Sequence, residues 1–346
     1  MSETPGWSSP DQPQNQPQQQ PPPQYGQQQY GYNAPPPPAQ PTIKPGVIPL
    51  RPLALGEIID GAITTMRRYP KLIIGAAAVV AAITQIVGLL VQLPFLADLS
   101  TALDPNTTPT RDQLLSTFAG ALGGTLIGVL LQLIGTVFLS GFITVVAGHA
   151  VLGRQVTFAQ AWEEFKPRLL PLLGATLLYG LLIMAAPVVM GLLGVLADSG
   201  WVLALGLLVA FLVAVWLWVL FSLVTPALVL ERCGVGTAFS RSRKLVTGAW
   251  WRTFGILLVA GLIGAVITWI ISLPFEALGL ATTGFDTNAA VLSAGYLILV
   301  TLGAIIASTI ALPFSSAVSV LVYVDRRMRS EGMDIELQRA AGHGGS

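Results

Sequence analysis

Charge is what this sequence has least of. Only 10% of its 346 residues are Asp, Glu, Lys or Arg, where soluble domains carry about 25%. Hydrophobic residues make up 53%, and the mean hydropathy is +0.69. A chain this apolar would present large greasy surfaces to water, which excludes an ordinary soluble domain and makes lipid its natural solvent. The single cysteine, Cys233, excludes an intrachain disulfide and, lacking clustered His or Cys neighbours, a thiolate metal site. The two histidines, His149 and His343, fit no HExxH or related metal spacing. GxxxxGK[ST] and GxSxG patterns are absent, as is a GxGxxG between strand and helix. No basic stripe with interleaved aromatics is present, so nucleic acid is not an expected partner. The expectation is no catalytic residue, no metal and no cofactor. Two carboxylate pairs, Glu57 with Asp60 and Glu163 with Glu164, sit on amphipathic segments whose solvated faces account for them.

Residues 1–49 have few aliphatic side chains but hold 14 Pro and 11 Gln, with Glu3, Asp11 and Lys44 as their charges. Such a segment cannot bury enough apolar surface to offset the entropy of folding, so it reads as a disordered tail with local polyproline II. It also lacks the apolar core of a cleavable signal peptide. Its plain role is a solvated tether; its sharper role is a docking arm for a protein partner with an aromatic groove.

What the chain has in abundance is long apolar runs. Six are placed near Leu72–Leu93, Phe118–Ala147, Leu169–Leu196, Trp201–Leu230, Phe254–Phe275 and Val291–Val324. Each reaches the ~20 residues that cross a bilayer as a helix. None alternates with period two, as barrel strands do. Of the 18 Lys and Arg, 17 flank these runs on one side, and Arg111 alone falls on the other. The positive-inside rule makes the basic side cytoplasmic, with both termini there and the plasma membrane as the location. The domains expected are therefore the tail at 1–49, a six-helix transmembrane domain at 50–328, and a short cytoplasmic tail at 329–346.

The body reads as three repeats, each an interfacial amphipathic helix followed by two spans. Ile59, Ala62, Ile63 and Met66 lead to Gly75; Phe158, Ala161, Trp162 and Phe165 lead to Gly174; Phe239, Ser242, Arg243 and Val246 lead to Gly255. The first two sets occupy one helical face, and Thr157 with Gln160 fits a capping box. In the third set a polar pair interrupts the apolar face. Repeats of like topology are related by an axis along the membrane normal. The fold class expected is an all-α membrane protein.

Arg67, Arg68, Lys71, Arg241, Arg243, Lys244 and Arg252 lie beside these interfacial helices, where cations meet anionic headgroups. They are the candidate lipid contacts. Gly120, Gly124 and Gly128 form a strip that lets two helices approach closely, either within the chain or in a homo-oligomer. The span interiors hold Gln85, Gln92 and Gln132 but nearly no ionisable group, so no proton relay is expected. Pro187, Pro226 and Pro313 fall inside spans and predict kinks. Asn106-Thr107-Thr108 matches a glycosylation sequon.

The runs Leu53-Ala54-Leu55-Gly56-Glu57-Ile58-Ile59-Asp60-Gly61-Ala62, Pro226-Ala227-Leu228-Val229-Leu230-Glu231, Ser240-Arg241-Ser242 and Gly248-Ala249-Trp250-Trp251-Arg252 carry a resemblance. They resemble uncharacterised actinobacterial membrane proteins related to the membrane domain of glycerophosphoryl diester phosphodiesterases, over about residues 50–330. The hydrolytic activity of those enzymes resides in a separate soluble barrel, for which this chain has no room, so the resemblance implies a membrane domain without catalysis. The sequence thus reads as a non-enzymatic scaffold or accessory subunit. The alternative is a permease or lipid-handling component, passive or driven by a partner ATPase. A cavity lined by the span glutamines would favour transport, and a closed bundle the scaffold.

Overall fold

A backbone in hydrocarbon must satisfy its polar groups internally, which leaves helices and closed barrels; this chain uses helices, with no strand among the described residues. The computed structural model describes residues 46–49, 51–102, 110–196, 200–286 and 293–332. The tail before residue 46, the sequon at 106–108 and the residues after 332 lie outside the described residues.

The elements come in three sets. In the first, α1 (Leu55–Arg68) leads into α2 (Pro70–Ala102) and α3 (Arg111–Val151). In the second, α4 (Phe158–Phe165) continues through a 3₁₀ turn at Lys166–Arg168 into α5 (Leu169–Leu196), followed by α6 (Gly200–Leu220) and α7 (Val224–Leu230). In the third, α8 (Val235–Thr247) leads into α9 (Trp250–Ala281) and α10 (Ala294–Glu331). Six stretches of these helices are long and apolar enough to cross a bilayer.

The sets pack as a ring. Within each, the two spans form a hairpin: α2 with α3, α5 with α6, α9 with α10. Between sets, the first span of one repeat packs on the second span of the preceding one: α5 on α3, α9 on α6, and α2 on α10. The short helices obey the same rule, with α4 on α3, α8 on α7, and α1 on α10. The contact of repeat one with repeat three closes the circle, as repeats about one membrane-normal axis require.

The buried core lies at the end of the bundle that carries the basic residues, here the basic end. Ile58, Phe142, Phe165, Leu228, Val318 and Tyr323 are among its fully buried side chains. Toward the opposite end Ile86, Leu90, Leu181, Leu205 and Ile298 stay exposed, an apolar surface suited to lipid.

The amphipathic helices turn their buried faces into this protein core rather than toward acyl chains. In α1 the buried residues are Ile58, Ala62, Thr65 and Met66, while Ile63 is exposed. In α8 they are Ala238, Ser242, Leu245 and Val246, at the same spacing. Ala62 and Met66, and Ser242 and Val246, belong to the faces the sequence suggested, but Ile58 and Ala238 begin the buried faces in place of Ile59 and Phe239; in α4 the expected Ala161 and Phe165 are buried. Thr157 and Gln160 do form the capping box at the start of α4.

Two boundaries also differ from the sequence reading. Val47 and Ile48, assigned to the tail, are buried, and the Val47 N–H donates to the Ala150 carbonyl at 3.2 Å. A Cβ on Gly46 would run into the backbone at the end of α3, so only glycine permits that approach. The fourth span is not one helix but two, interrupted at Phe221–Leu223. Pro226 has no N–H to offer the Ser222 carbonyl, and it lies in the first turn of α7, where a missing N–H costs little. Ser242 of α8 bridges the break: its Oγ donates to the Leu220 carbonyl at 2.8 Å and accepts from the Leu223 N–H at 3.3 Å. The polar interruption in the third amphipathic helix is therefore a buried staple. Pro187 and Pro313 lie inside the continuous helices α5 and α10.

Candidate functional site

At the basic end each junction between repeats carries a polar cluster. Repeat three meets repeat one at Asp325, whose side chain is fully buried. It accepts from the Leu53 N–H at 2.8 Å, from Arg329 Nε at 2.9 Å, and from Arg252. The Leu53 carbonyl in turn accepts from Arg252 Nη2 at 2.7 Å and Arg329 Nη2 at 2.9 Å. Both polar groups of one peptide residue are thus held by one ionic cluster. A buried charge is tolerated only when paired and hydrogen-bonded in this way.

Repeat two meets repeat three at Glu231, just beyond α7. Arg241 of α8 grips its carboxylate at 2.7 and 2.9 Å, and Tyr323 of α10 donates to it as well. Arg241 also reaches Glu331 at 2.7 Å, which Arg327 holds at 2.8 Å. Burial alone would raise the Glu231 pKa, but the hydrogen bonds from Arg241 and Tyr323 outweigh it and hold the carboxyl below its usual range. The same bond to Glu231 pushes the Arg241 guanidinium upward. Burial, with the Glu231 charge beside it, raises the Cys233 thiol, which disfavours a reactive thiolate.

Repeat one meets repeat two at His149, Glu164 and Arg232. The His149 ring bonds through Nδ1 to the Val145 carbonyl at 3.0 Å, so Nδ1 is the donor. Its Nε2 lies 3.4 Å from Glu164, whose other oxygen lies 3.8 Å from Arg232. Arg232 occupies the left-handed region at φ 52°, where a residue with a Cβ is strained. The basic ends of α3, α7 and α10 surround a concavity of ≈ 270 Å³, lined by His149, Glu164, Arg232, Tyr323 and Arg327 among apolar residues. No group of three or more His, Cys, Asp or Glu suited to a metal ion occurs among the described residues.

A second cavity of ≈ 230 Å³ lies deeper in the bundle, beside the break between α6 and α7. Ser140, Thr176, Tyr179, Ser222 and Ser319 line it, and each of these hydroxyls donates to a backbone carbonyl. No Asp, Glu, Lys or Arg lines it. Gln85, Gln92 and Gln132 line neither this cavity nor the one at the basic end.

The residues named from sequence fall into two groups. Arg67, Arg68, Lys71, Arg243 and Lys244 are exposed at the basic end. Arg241 and Arg252 instead spend their charge inside the chain, on Glu231 and Asp325. A fixed carboxylate at hydrogen-bond distance competes well against a diffusing headgroup. Gly124 is buried within the single chain, while Gly120 and Gly128 are half-buried, and Gly128 faces Gln92 of α2. A close α2–α3 approach falls one heptad later, at Gly135, where a Cβ would meet Thr84 at 2.5 Å.

Sequence reasoning passed over Glu164 as a solvated acid and did not single out Tyr323 or Asp325. The signal that marks Asp325 and Glu231 is a carboxylate lying directly among the arginines of the basic side.

The fold and these clusters define an all-α, multi-pass membrane protein built from three two-span repeats. Residues 53–325 match the family described as a domain of unknown function (DUF7847), and the chain belongs to that family. The match begins and ends on Leu53 and Asp325, the two residues that the first cluster joins. No curated protein and no solved structure matches the chain.

Proposed function

We propose that this protein is a non-catalytic scaffold or accessory subunit of the cell membrane, with its basic face in the cytoplasm. The observation that carries the reading is the packed core toward the basic end. A buried core joins all three repeats there, and the clusters at Asp325 and Glu231 fasten two of the three junctions. Alternating access through that end would have to part a fully buried carboxylate from its cations, a cost of about 3–5 kcal/mol. The orientation rests on the 17 of 18 basic residues gathered on one side. The concavity at the ends of α3, α7 and α10 is the seat for a partner, and the Pro- and Gln-rich residues before Gly46 are a docking arm.

The hydroxyl-lined cavity supports a second reading, a permease or lipid-handling component. One comparison separates the two. The full-length protein, a version lacking residues 1–45 (which keeps the buried Val47 and Ile48), and Arg232→Glu are each purified from native membranes with whatever they hold, and each is then reconstituted for solute flux. A partner lost on truncation or on Arg232→Glu, with no flux, upholds the scaffold. Flux by the purified chain, with the same recovery from all three, overturns it in favour of transport.

A further inference from the structure

Between α2 and α3 runs a third hollow, of ≈ 500 Å³, which touches none of the three polar clusters and borders the core at Ala76 and Phe138. Its walls are apolar: Val79, Ile83, Leu131, Ile134 and Phe138. The one hydroxyl inside, on Thr84, donates to the Val80 and Ala81 carbonyls at 2.9 and 3.1 Å. The interior therefore asks for hydrocarbon. Its shape comes from glycine at two points. Gly135 draws the helices together at the floor, whereas Gly75 stands where a Cβ would meet nothing within 4 Å, leaving the groove open along its side.

Length and charge identify what fits. From Lys71 to Ile83 the groove follows α2, about 18 Å at 1.5 Å per residue. One leaflet of hydrocarbon is about 15 Å deep, half of a ~30 Å core. Lys71 lies at the basic end of the groove, exposed and without an ion pair among the described residues. A cation at the headgroup level above an apolar channel one leaflet deep matches a single lipid, charged at one end.

The other two repeats supply an internal comparison. Gly174 and Gly255 stand at the positions of Gly75, and a Cβ on either would also meet nothing within 4 Å. Four residues before each, where repeat one has Lys71, stand Leu170 and Trp251, both 78% exposed. The open glycine is shared by all three repeats, but the cation belongs to the first.

We propose that the α2–α3 groove is a binding site for one anionic phospholipid, its acyl chain along Gly75, Val79 and Ile83 and its phosphate at Lys71. This does not depend on whether the protein serves as scaffold or transporter.

The test uses the full-length protein in nanodiscs of phosphatidylcholine with phosphatidylglycerol, followed by release into detergent and native mass spectrometry. Preferential retention of one phosphatidylglycerol is expected. Lys71→Gln should lower that retention about fivefold, the worth of one cation near an anionic surface, and Lys71→Arg should keep it. Gly75→Leu should remove the retained lipid whatever its headgroup, because the new side chain enters the groove; Leu favours the helix over Gly, so folding is preserved. Unchanged retention in Lys71→Gln or in Gly75→Leu would overturn the site. So would displacement of the lipid by soluble glycerol phosphate, which would leave the groove no part in recognition. Cross-linking of two copies through Val79→Cys would make the groove a protein interface and equally end the proposal.

Discussion

Asp325 accepts a hydrogen bond from the Leu53 backbone N–H at 2.8 Å, across 272 residues of sequence. Two of the three joints in the ring are made by elements close in the chain, α3 with α4 and α7 with α8. The third has no such help. It must bring the start of repeat one to the end of repeat three against the entropy of a long loop. The most buried ionic cluster in the described residues is found at that joint, and Arg252 and Arg329 reinforce it from both sides.

Removing the carboxylate tests this joint. Asp325→Ala leaves two arginines and a peptide N–H without their shared acceptor, and the expected loss is about 3–5 kcal/mol. Arg252→Ala should cost less, because Arg329 and the Leu53 N–H remain on Asp325. Since the two residues act as a unit, the double variant should be less destabilised than the sum of the singles. Thermal unfolding in detergent measures all three; strict additivity would show that the pair is not coupled.

Ser242 makes a second, independent claim. Its hydroxyl is buried and serves both sides of the break between α6 and α7. Ser242→Ala should strand the Leu220 carbonyl and the Leu223 N–H, at about 1–3 kcal/mol. Amide exchange at Leu223 should rise more than exchange in the middle of α9. Equal exchange in variant and parent would mean that the break is held by other means.

Arg232 permits a test of backbone strain. At φ 52° glycine is at ease and alanine is not. Both Arg232→Gly and Arg232→Ala lose the cation beside Glu164, so their difference reports the backbone alone. The glycine variant should be the more stable by about 1–2 kcal/mol, read from paired unfolding curves. An alanine variant of equal stability would contradict the strain.

Much of this architecture was legible in the residues, for a physical reason. Span number follows from apolar length and the alternation of charge, both set by the bilayer rather than by packing. The repeat was visible because Gly75, Gly174 and Gly255 keep their spacing from each amphipathic face. What the pattern hid was which surface each face meets. Arg241 and Arg243 look alike in sequence, two residues apart on one helix. Only packing turns the first onto Glu231 and leaves the second exposed. Gly135 was passed over for the same reason: a repeated GxxxG spacing marks a strip, whereas the close approach depends on where α2 crosses α3.

Glu231 gives the arrangement a pH dependence. Its carboxyl lies below its usual range because Arg241 and Tyr323 favour the ionised form more than burial opposes it. In the unfolded chain it returns to about 4.3. The unfolded state therefore binds the proton more readily. The stability Glu231 contributes is full above the unfolded pKa and is lost as pH falls through the lower folded value. Glu231→Gln cannot ionise and should be less stable than the parent at neutral pH. The gap between the two should then narrow as the pH drops below about 4.3. Other carboxylates titrate in the same window, but they are common to both proteins and cancel in the difference. Unfolding temperatures of the pair across acid pH provide the measurement. A gap that stayed constant would mean that the Arg241–Glu231 bond adds nothing as a charge and acts only as a packed contact.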